Sequence, residues 1–309
     1  MQIDFWDVGQ GDCSVITLKD KRLVIIDVGP RSSPIINWLN DTPKTIEAII
    51  LTHNDADHIG ALNGILTLPY VTINKVYLLN DQRTAQKYKE LFAKLIELKN
   101  QIKVYYVQKD TVIFEDEDRI LEVVFPDVLT GMTATTHNQA SAILGLRHGD
   151  SVEFVWGGDA QFLDIVEAYT FKINPNVLVG PHHGAPTDRK KIKKYSFKNL
   201  LPFINYISVG TNNRYSHPCP SYIKFLSEMG IKTYCSEITN SCNRKAVIKN
   251  FHILKPEIYG HVSPTSKNVV HCRGGMQYFL KDGNWQIDGW DSIYLKKLSS
   301  LSHRLCIRP

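Results

Sequence analysis

The sequence lacks any apolar run long enough to cross a bilayer, because its longest apolar stretches, such as residues 48–51, have only the length of a strand. The N-terminus has neither the basic nor the apolar region of a signal peptide, so we expect a cytoplasmic protein without membrane contact. Internal repeats and low-complexity linkers are also missing. With 43% hydrophobic and 22% charged residues in 309, the composition excludes a disordered or fibrous chain.

Cysteine is scarce: the chain has six, and none forms a Cys-x-x-Cys pair. In a reducing cytoplasm we expect free thiols and no disulfides. Cys235, Cys242, His271 and Cys272 could form a structural zinc site, but their spacing matches no zinc-finger pattern, and buried free thiols are the better interpretation. The formal charge of +5 permits a polyanionic partner without requiring one.

Short strands mixed with helices predict a layered α/β sandwich, since polar motifs follow several of the strands. We expect strands at 3–7, 14–18, 23–27, 48–51, 76–79, 103–107, 120–125, 142–147, 153–156, 177–179, 206–209 and 232–235. We expect helices at 59–66, 84–99, 162–169 and 221–229. The pattern weakens after about residue 240, which predicts one domain over 1–240 and, over 241–309, a C-terminal extension packed on the same domain.

Four potential metal ligands lie within six residues, directly after the apolar run at 48–51: His53, Asp55, Asp57 and His58. A strand that ends abruptly lets several loop side chains converge on one point. Imidazole and carboxylate are the ligands that catalytic divalent metals use. The alternative is a solvated polar loop, although a chance cluster of this density after an apolar strand is unusual.

The segment His53-Asn54-Asp55-Ala56-Asp57-His58 resembles the His-x-His-x-Asp-His signature of the metallo-β-lactamase superfamily, with Asp55 in place of the second histidine. This variant resembles the hydrolase domain of ComEC-type DNA-uptake proteins. Further blocks resemble the family in the same order: Val8-Gly9-Gln10-Gly11-Asp12, Ile26-Asp27-Val28-Gly29, Asn138 with Ser141, Gly158-Asp159, His182-His183-Gly184, Ser208-Val209-Gly210, and Asn213 with Tyr215 and His217-Pro218. The resemblance covers about residues 1–240 and implies an αββα sandwich with a short C-terminal extension.

The resemblance implies a site for two divalent metal ions. His53 and Asp55 would hold one ion, and Asp57 and His58 the other. Asp159 would bridge the two ions, His182 would add a ligand to one of them, and Asp27 would support the site. Such a pair supplies a hydroxide for hydrolysis by lowering the pKa of a bound water. Replacing an imidazole by a carboxylate shifts the preference toward Mn²⁺ or Mg²⁺, while Zn²⁺ stays open.

The resemblance also suggests residues that act on the substrate. Asp57 could orient the attacking hydroxide as well as bind metal. His183 and His217 are candidates to contact the substrate or protonate the leaving oxygen, although each alone could be a structural histidine. Asn138 and Ser141 are candidate substrate contacts.

A lysine-rich stretch follows the His-His-Gly block and includes Lys190, Lys191, Lys193 and Lys194. These side chains could bind a nucleic-acid backbone, and a solvated helix face is an equally good interpretation. Arg214 and Tyr215 could stack on bases, although aromatic residues in such positions often only pack.

The resemblance favours a phosphodiesterase or nuclease that acts on DNA, with a role in bacterial defence or DNA processing. A hydrolase of a small ester, lactone or cyclic nucleotide is an alternative with the same fold. A non-catalytic sensor or partner-binding subunit is an alternative of another class, and the complete ligand set argues against it. Protein partners encoded in the same operon are compatible with such a role, but no residue identifies them.

Overall fold

The computed structural model describes residues 1–79, 86–98, 101–127, 130, 133–134, 136, 138–169, 171–187, 200–211, 213–242, 272 and 274–287. Its strands are β1 (Gln2–Phe5), β2 (Cys13–Thr17), β3 (Leu23–Val28), β4 (Lys44–Ile50), β5 (Val71–Leu79), β6 (Lys103–Val107), β7 (Val112–Asp116), β8 (Arg119–Phe125), β9 (Ile143–His148), β10 (Ser151–Trp156), β11 (Val177–Val179), β12 (Ile204–Ile207), β13 (Lys232–Cys235), β14 (Met276–Lys281) and β15 (Asn284–Ile287). Its helices are α1 (Ile35–Asn40), α2 (Ala56–Ile59), α3 (Leu62–Ile65), α4 (Gln86–Glu97), α5 (Phe162–Ala168) and α6 (Pro220–Glu228).

The strands form two mixed sheets. The first has the order β15-β14-β1-β2-β3-β4-β5-β6, and the second has the order β13-β12-β11-β10-β9-β8-β7. Strands β3 to β6 run parallel to one another, as do β10 to β13. The ligand-rich motifs follow several of these strands. Because the carboxyl ends of parallel strands meet at one edge of a sheet, the motifs come close together there.

Three apolar layers hold the sandwich together. The central layer lies between the two sheets and includes Phe5 and Ile50 from one sheet and Phe154 and Trp156 from the other. An outer layer packs α1, α3 and α4 on the first sheet, and a second outer layer packs α5 and α6 on the other. Each strand alternates its side chains between a central and an outer layer. This arrangement confirms the predicted αββα sandwich.

Several element boundaries differ from the sequence-based prediction. In place of the helix predicted at 59–66, the structure has two one-turn helices, α2 and α3, with Gly60 and Ala61 between them. Strands β4 and β5 begin at Lys44 and Val71, earlier than predicted. Their first halves carry polar residues and therefore gave no hydrophobic signal in the sequence. Helix α1 and strand β7 were missed by the sequence-based prediction, because their apolar patterns are short.

Strand β14 pairs antiparallel with β1, with Gln2 opposite Phe279 and Phe5 opposite Met276. Strands that come after residue 240 in the sequence therefore extend the first sheet. Most of residues 241–309 lies outside the described part, and the predicted division at residue 240 stays a proposal. Among the described residues, no helix is long and apolar enough to span a membrane.

Candidate metal centre

Asp27, at the end of β3, orients His53 in the loop after β4 and His58 in α2. Its Oδ2 accepts a hydrogen bond from His58 Nδ1 at 2.8 Å and another from the Thr52 hydroxyl at 2.7 Å. The same Thr52 oxygen lies 3.1 Å from His53 Nδ1. Because Thr52 donates its proton to Asp27, it accepts from His53. Both imidazoles therefore carry a proton on Nδ1, which leaves Nε2 as the nitrogen that would bind a metal ion.

Asp159 follows β10 and lies between these histidines. One oxygen, Oδ2, is 3.4 Å from His53 Nε2, and the other, Oδ1, is 3.2 Å from His58 Nε2. Ser141 is fully buried and accepts a hydrogen bond of 3.0 Å from the backbone N–H of Asp159. The structure therefore places Ser141 behind the carboxylate, where it suits holding Asp159 better than touching a substrate.

His183 lies deeper in the site than its neighbour His182. Its Nδ1 donates to the backbone carbonyl of Ser208 at 2.7 Å, and its Nε2 is the ring nitrogen that points into the site. Nε2 lies 3.2 Å from His58 Nε2, and 3.4 Å from both Asp57 Oδ2 and Asp159 Oδ1. The side chain of His183 is only 2% exposed. This position suits a metal ligand, a role that the sequence did not suggest for His183.

His182 occupies the rim, with 26% of its side chain exposed. Its Nε2 is 3.6 Å from Asp159 Oδ2 and 3.0 Å from Asn138 Nδ2. Its Nδ1 lies 3.1 Å from Gln161 Nε2. Asn138 and Gln161 therefore lie beside the two ring nitrogens, and only one of the two amide nitrogens can donate to the ring, because a neutral imidazole has a single acceptor nitrogen. Gln161 is a contact that the sequence did not suggest.

The donor atoms fit a divalent metal. Ligands bound to one ion in tetrahedral geometry at about 2.0–2.2 Å lie about 3.3–3.6 Å from one another. The nitrogen and oxygen atoms around Asp159 are 3.2 to 3.6 Å apart. His53 Nε2 and Asp159 Oδ1 are buried without a well-directed hydrogen bond. Two candidate groups result, one of His53, His58 and Asp159 and the other of Asp57, His58 and His183.

Asp55 and Asp57 lie at the mouth of the site. Asp55 Oδ2 is 3.6 Å from His53 Nε2, and 40% of the Asp55 side chain is exposed. Asp57 is 26% exposed in its side chain. Gly11 keeps the neighbouring loop in place, since a Cβ there would meet the carbonyl oxygen of Asp57 at 2.2 Å. The metal site is therefore open on the side of these two carboxylates.

The buried charges favour a cation at this place. Burial opposes the charged form of His183, but Asp159, Asp12 and Asp57 outweigh it and raise the pKa of His183 to about 9. Burial likewise opposes ionisation of Asp159, but His58, His183 and His53 hold its pKa well below the usual range. Ionised carboxylates packed around imidazole rings create a negative field that a proton or a metal ion neutralises.

Asp12 is a buried acid whose role the sequence did not assign. Its Oδ1 lies 3.7 Å from His183 Nδ1. Burial raises the pKa of Asp12 to about 6, against the attraction of His183 and His58. Together with Asp27 and His58 it forms a third group of potential ligands. Its place in the Gly-Gln-Gly-Asp block was the available signal, but only the fold shows that it lies against His183.

His217 lies beside the rim histidine, with ring centroids 5.6 Å apart. Burial, reinforced by His182 and His183, lowers the pKa of His217 to about 4. Asn213 accepts from the backbone N–H of His217 and donates to its carbonyl. Tyr215 stacks on the His217 ring at 5.8 Å. The structure thus brings His217 to the site and places Arg214 and Tyr215 on the exposed turn beside it.

A groove of about 960 Å³ is lined by Asp55 and Asp57 and also by Arg31, Arg214 and Tyr215. The lysine-rich stretch with Lys190, Lys191, Lys193 and Lys194 lies outside the described residues. His271 and Cys306 lie outside them as well. Cys13, Cys219, Cys235, Cys242 and Cys272 form no disulfide in the described part of the chain. None of these five belongs to a potential metal-binding group within the described ranges.

Comparison with known proteins assigns this fold and site to a class. The model of the metallo-beta-lactamase superfamily matches residues 6–171. The chain belongs to the metallo-β-lactamase superfamily, whose members are metal-dependent hydrolases.

Individual relatives are more distant. The chain is 25% identical to ComE operon protein 3 of Bacillus subtilis (strain 168) over 259 residues, which is 75% of this chain and 31% of that protein. It is 35% identical over 60 residues to hydroxyacylglutathione hydrolase of Vibrio parahaemolyticus serotype O3:K6, which is 19% of this chain and 23% of the relative. The chain thus matches about a third or less of the length of these relatives. Zn²⁺-bound PqqB from Methylobacterium extorquens aligns with a TM-score of 0.48 and 10% identity, over 75% of this chain and 97% of that one.

Proposed function

We propose that this protein is a metal-dependent phosphodiesterase that acts as a nuclease on DNA in the cytoplasm. The observation that carries the proposal is the set of donor atoms around Asp159, which lie 3.2 to 3.6 Å apart. The open side of this set faces a groove that contains two arginines and an exposed tyrosine. The similarity to ComE operon protein 3 supports the choice of substrate, although it covers only 31% of that protein.

The two sides of Asp159 suggest two metal ions, Mn²⁺ or Zn²⁺ with Mg²⁺ as a further candidate. His53, Asp55 and His182 would hold one, and Asp57, His58 and His183 the other. Divalent ions held by these residues would lower the pKa of a bound water and would neutralise charge on the attacked phosphate.

The remaining residues of the site would handle orientation and proton transfer. Asp57, on the open side, is placed to accept a proton from the attacking water. His217, beside His182, would contact the substrate and not protonate it, because its lowered pKa of about 4 leaves the ring neutral at pH 7. Asp27 and Ser208 fix the proton positions of His58 and His183, so that their free nitrogens stay directed into the site.

The test is hydrolysis by the full chain of single-stranded DNA, duplex DNA, RNA and bis(p-nitrophenyl) phosphate, with Mn²⁺, Mg²⁺ or Zn²⁺ supplied in turn. We expect metal-dependent cleavage of DNA and of the small diester. Asp57→Ala and His58→Ala should each lower the rate by more than about a hundredfold, because each removes a ligand. Asp150→Ala, at an exposed hairpin turn, is the matched control and should keep the wild-type rate. Near wild-type hydrolysis by either ligand variant would refute the assignment of the second ion.

A hydrolase of a small ester is the second candidate, favoured by the 60-residue similarity to hydroxyacylglutathione hydrolase. A metal-activated site attacks a thioester carbonyl by the same chemistry as a phosphodiester. Efficient cleavage of a hydroxyacylglutathione thioester, without cleavage of any nucleic acid or diester, would replace the nuclease proposal by this one.

A further inference from the structure

The groove beside the metal centre contains two cationic side chains that have no anionic partner in the described part of the chain. Arg31 and Arg214 are both exposed, and both line the groove. Most other described arginines are already engaged: Arg22 contacts Asp20 and Glu47, and Arg119 contacts Glu153. Unpaired guanidinium groups beside a hydrolytic centre suit the phosphates that flank a scissile bond.

An amide with no protein partner also faces the groove. Asn54 lies between the ligands His53 and Asp55, is 7% exposed, and lines the groove. Neither its Nδ2 nor its Oδ1 has a hydrogen-bond partner among the described residues. A buried donor and acceptor without partners lower stability, so their retention points to a ligand that offers both an acceptor and a donor. The edge of a nucleobase offers such a pair.

The floor of the groove is apolar. It is lined by Ile36, Ile59 and Leu91, from α1, α2 and α4. Gly60 lets α2 approach the loop of Arg31 closely, because a Cβ at this position would lie 2.5 Å from the Arg31 backbone nitrogen. Tyr215, which also lines the groove, is 62% exposed. Apolar side chains and an open aromatic ring suit the flat faces of bases, which stack without regard to sequence.

We propose that this groove binds one unpaired strand of DNA, with phosphates on Arg31 and Arg214, a base stacked on Tyr215 and a base edge on Asn54. The inference rests on the proposed nuclease function and adds the form of the substrate. A duplex presents phosphates on its outside and hides its base faces, so it would leave the apolar floor and the Asn54 amide without contacts. An unpaired strand presents its phosphates, its base faces and its base edges at the same time.

Equilibrium binding separates the two forms of DNA. The full chain is titrated, with a chelator present to stop cleavage, against a fluorescent single strand of about 12 nucleotides and its duplex. We expect the single strand to bind at least about tenfold more tightly than the duplex. Arg31→Ala and Arg214→Ala should each reduce the slope of log K against log salt by about 0.7. Lys103→Ala is the control, because Lys103 is exposed at the amino end of β6, away from the ligand loops, and it should leave the slope unchanged.

Asn54→Leu distinguishes a binding role from a structural one. If the amide serves the substrate, the variant should bind the single strand at least about fivefold more weakly while melting at the same or a higher temperature. A fall in melting temperature would show that the amide has structural partners, and unchanged binding would remove Asn54 from the proposal.

The outcomes also separate this inference from the proposed function. If DNA and bis(p-nitrophenyl) phosphate are hydrolysed but the duplex binds as tightly as the single strand, only the inference is overturned. It is equally overturned if the arginine variants keep the slope of the Lys103 control. If no metal supports cleavage of any diester, the proposed function fails instead.

Discussion

Asp27 determines the orientation of two metal-facing histidines through a single carboxylate. It accepts directly from His58 Nδ1 and, through the Thr52 hydroxyl, from His53 Nδ1. Its other oxygen accepts the backbone N–H of Thr52 at 2.8 Å, which ties the start of the ligand loop to the end of β3. Both sides of the candidate metal site therefore depend on the Asp27 carboxylate.

Replacement of Asp27 by asparagine tests this dependence. Both carboxylate oxygens of Asp27 accept hydrogen bonds, so the amide nitrogen of asparagine would face a donor from Thr52 or His58 in either orientation. The negative charge that orients both rings would also be lost. We expect metal affinity about 10- to 100-fold lower than in the wild type, measured by competition with a chromogenic chelator. Asp150→Asn, at the exposed turn between β9 and β10, should bind metal like the wild type. Equal affinity of the two variants would show that His53 and His58 need no such support.

At the scale of elements, a buried ion pair connects the β14–β15 hairpin to the second sheet. Glu153 of β10 binds both Nε and Nη2 of Arg119 of β8, at 2.8 and 2.9 Å. Arg119 also donates to the carbonyl of Gly283, and Trp285 donates to Glu153 at 2.7 Å. Arg119 is 3% exposed in its side chain, so these contacts satisfy a charge that water cannot reach.

Glu153→Ala should therefore destabilise the protein strongly, since it leaves the Arg119 charge buried without its partner. We expect a loss of about 3–5 kcal/mol in the free energy of unfolding, measured with urea. Glu122→Ala on β8 breaks the more exposed pair with Arg147 and should lower stability by about 0.2–1 kcal/mol. Similar losses in the two variants would show that the hairpin contact contributes no more than a surface pair.

At the scale of the whole molecule, the C-terminal hairpin completes the first sheet. Strand β1 lies between β14 and β2, and the ring of Tyr278 packs edge-on against Phe5 and Phe154 in the central layer. Met276 and Tyr278 are both buried there. Without β14, β1 would become an open edge and its inner face would lose these apolar neighbours.

We therefore expect a chain that ends at residue 240 to lose its cooperative thermal transition and to aggregate on gel filtration. The control is a chain that ends at residue 287, which keeps every described strand and should melt cooperatively. Circular dichroism at increasing temperature checks both. A monomeric, cooperatively melting 1–240 chain would show that the domain is complete without its C-terminal strands.

The amino-acid sequence by itself indicated the αββα sandwich, the superfamily and the loops from which the candidate ligands come. These features are visible because strand patterns and ligand spacing are encoded in consecutive residues, as in the segment from His53 to His58. Most strands in the central layer were predictable for the same reason. Strands with a polar first half, such as β4, were predicted too short because their exposed residues carry no hydrophobic signal.

Only the tertiary structure decided which of two adjacent histidines faces the metal site. His182 and His183 both adopt positive φ angles, and the carbonyl of Ser208 on a different segment turns His183 inward. The same holds for Asp12 beside His183, for the groove formed by α1, α2, α4 and the turn at Tyr215, and for β14 beside β1. These relations join residues between 25 and 277 positions apart or involve several segments. They therefore depend on packing between sheets and loops, which no local pattern of the chain encodes.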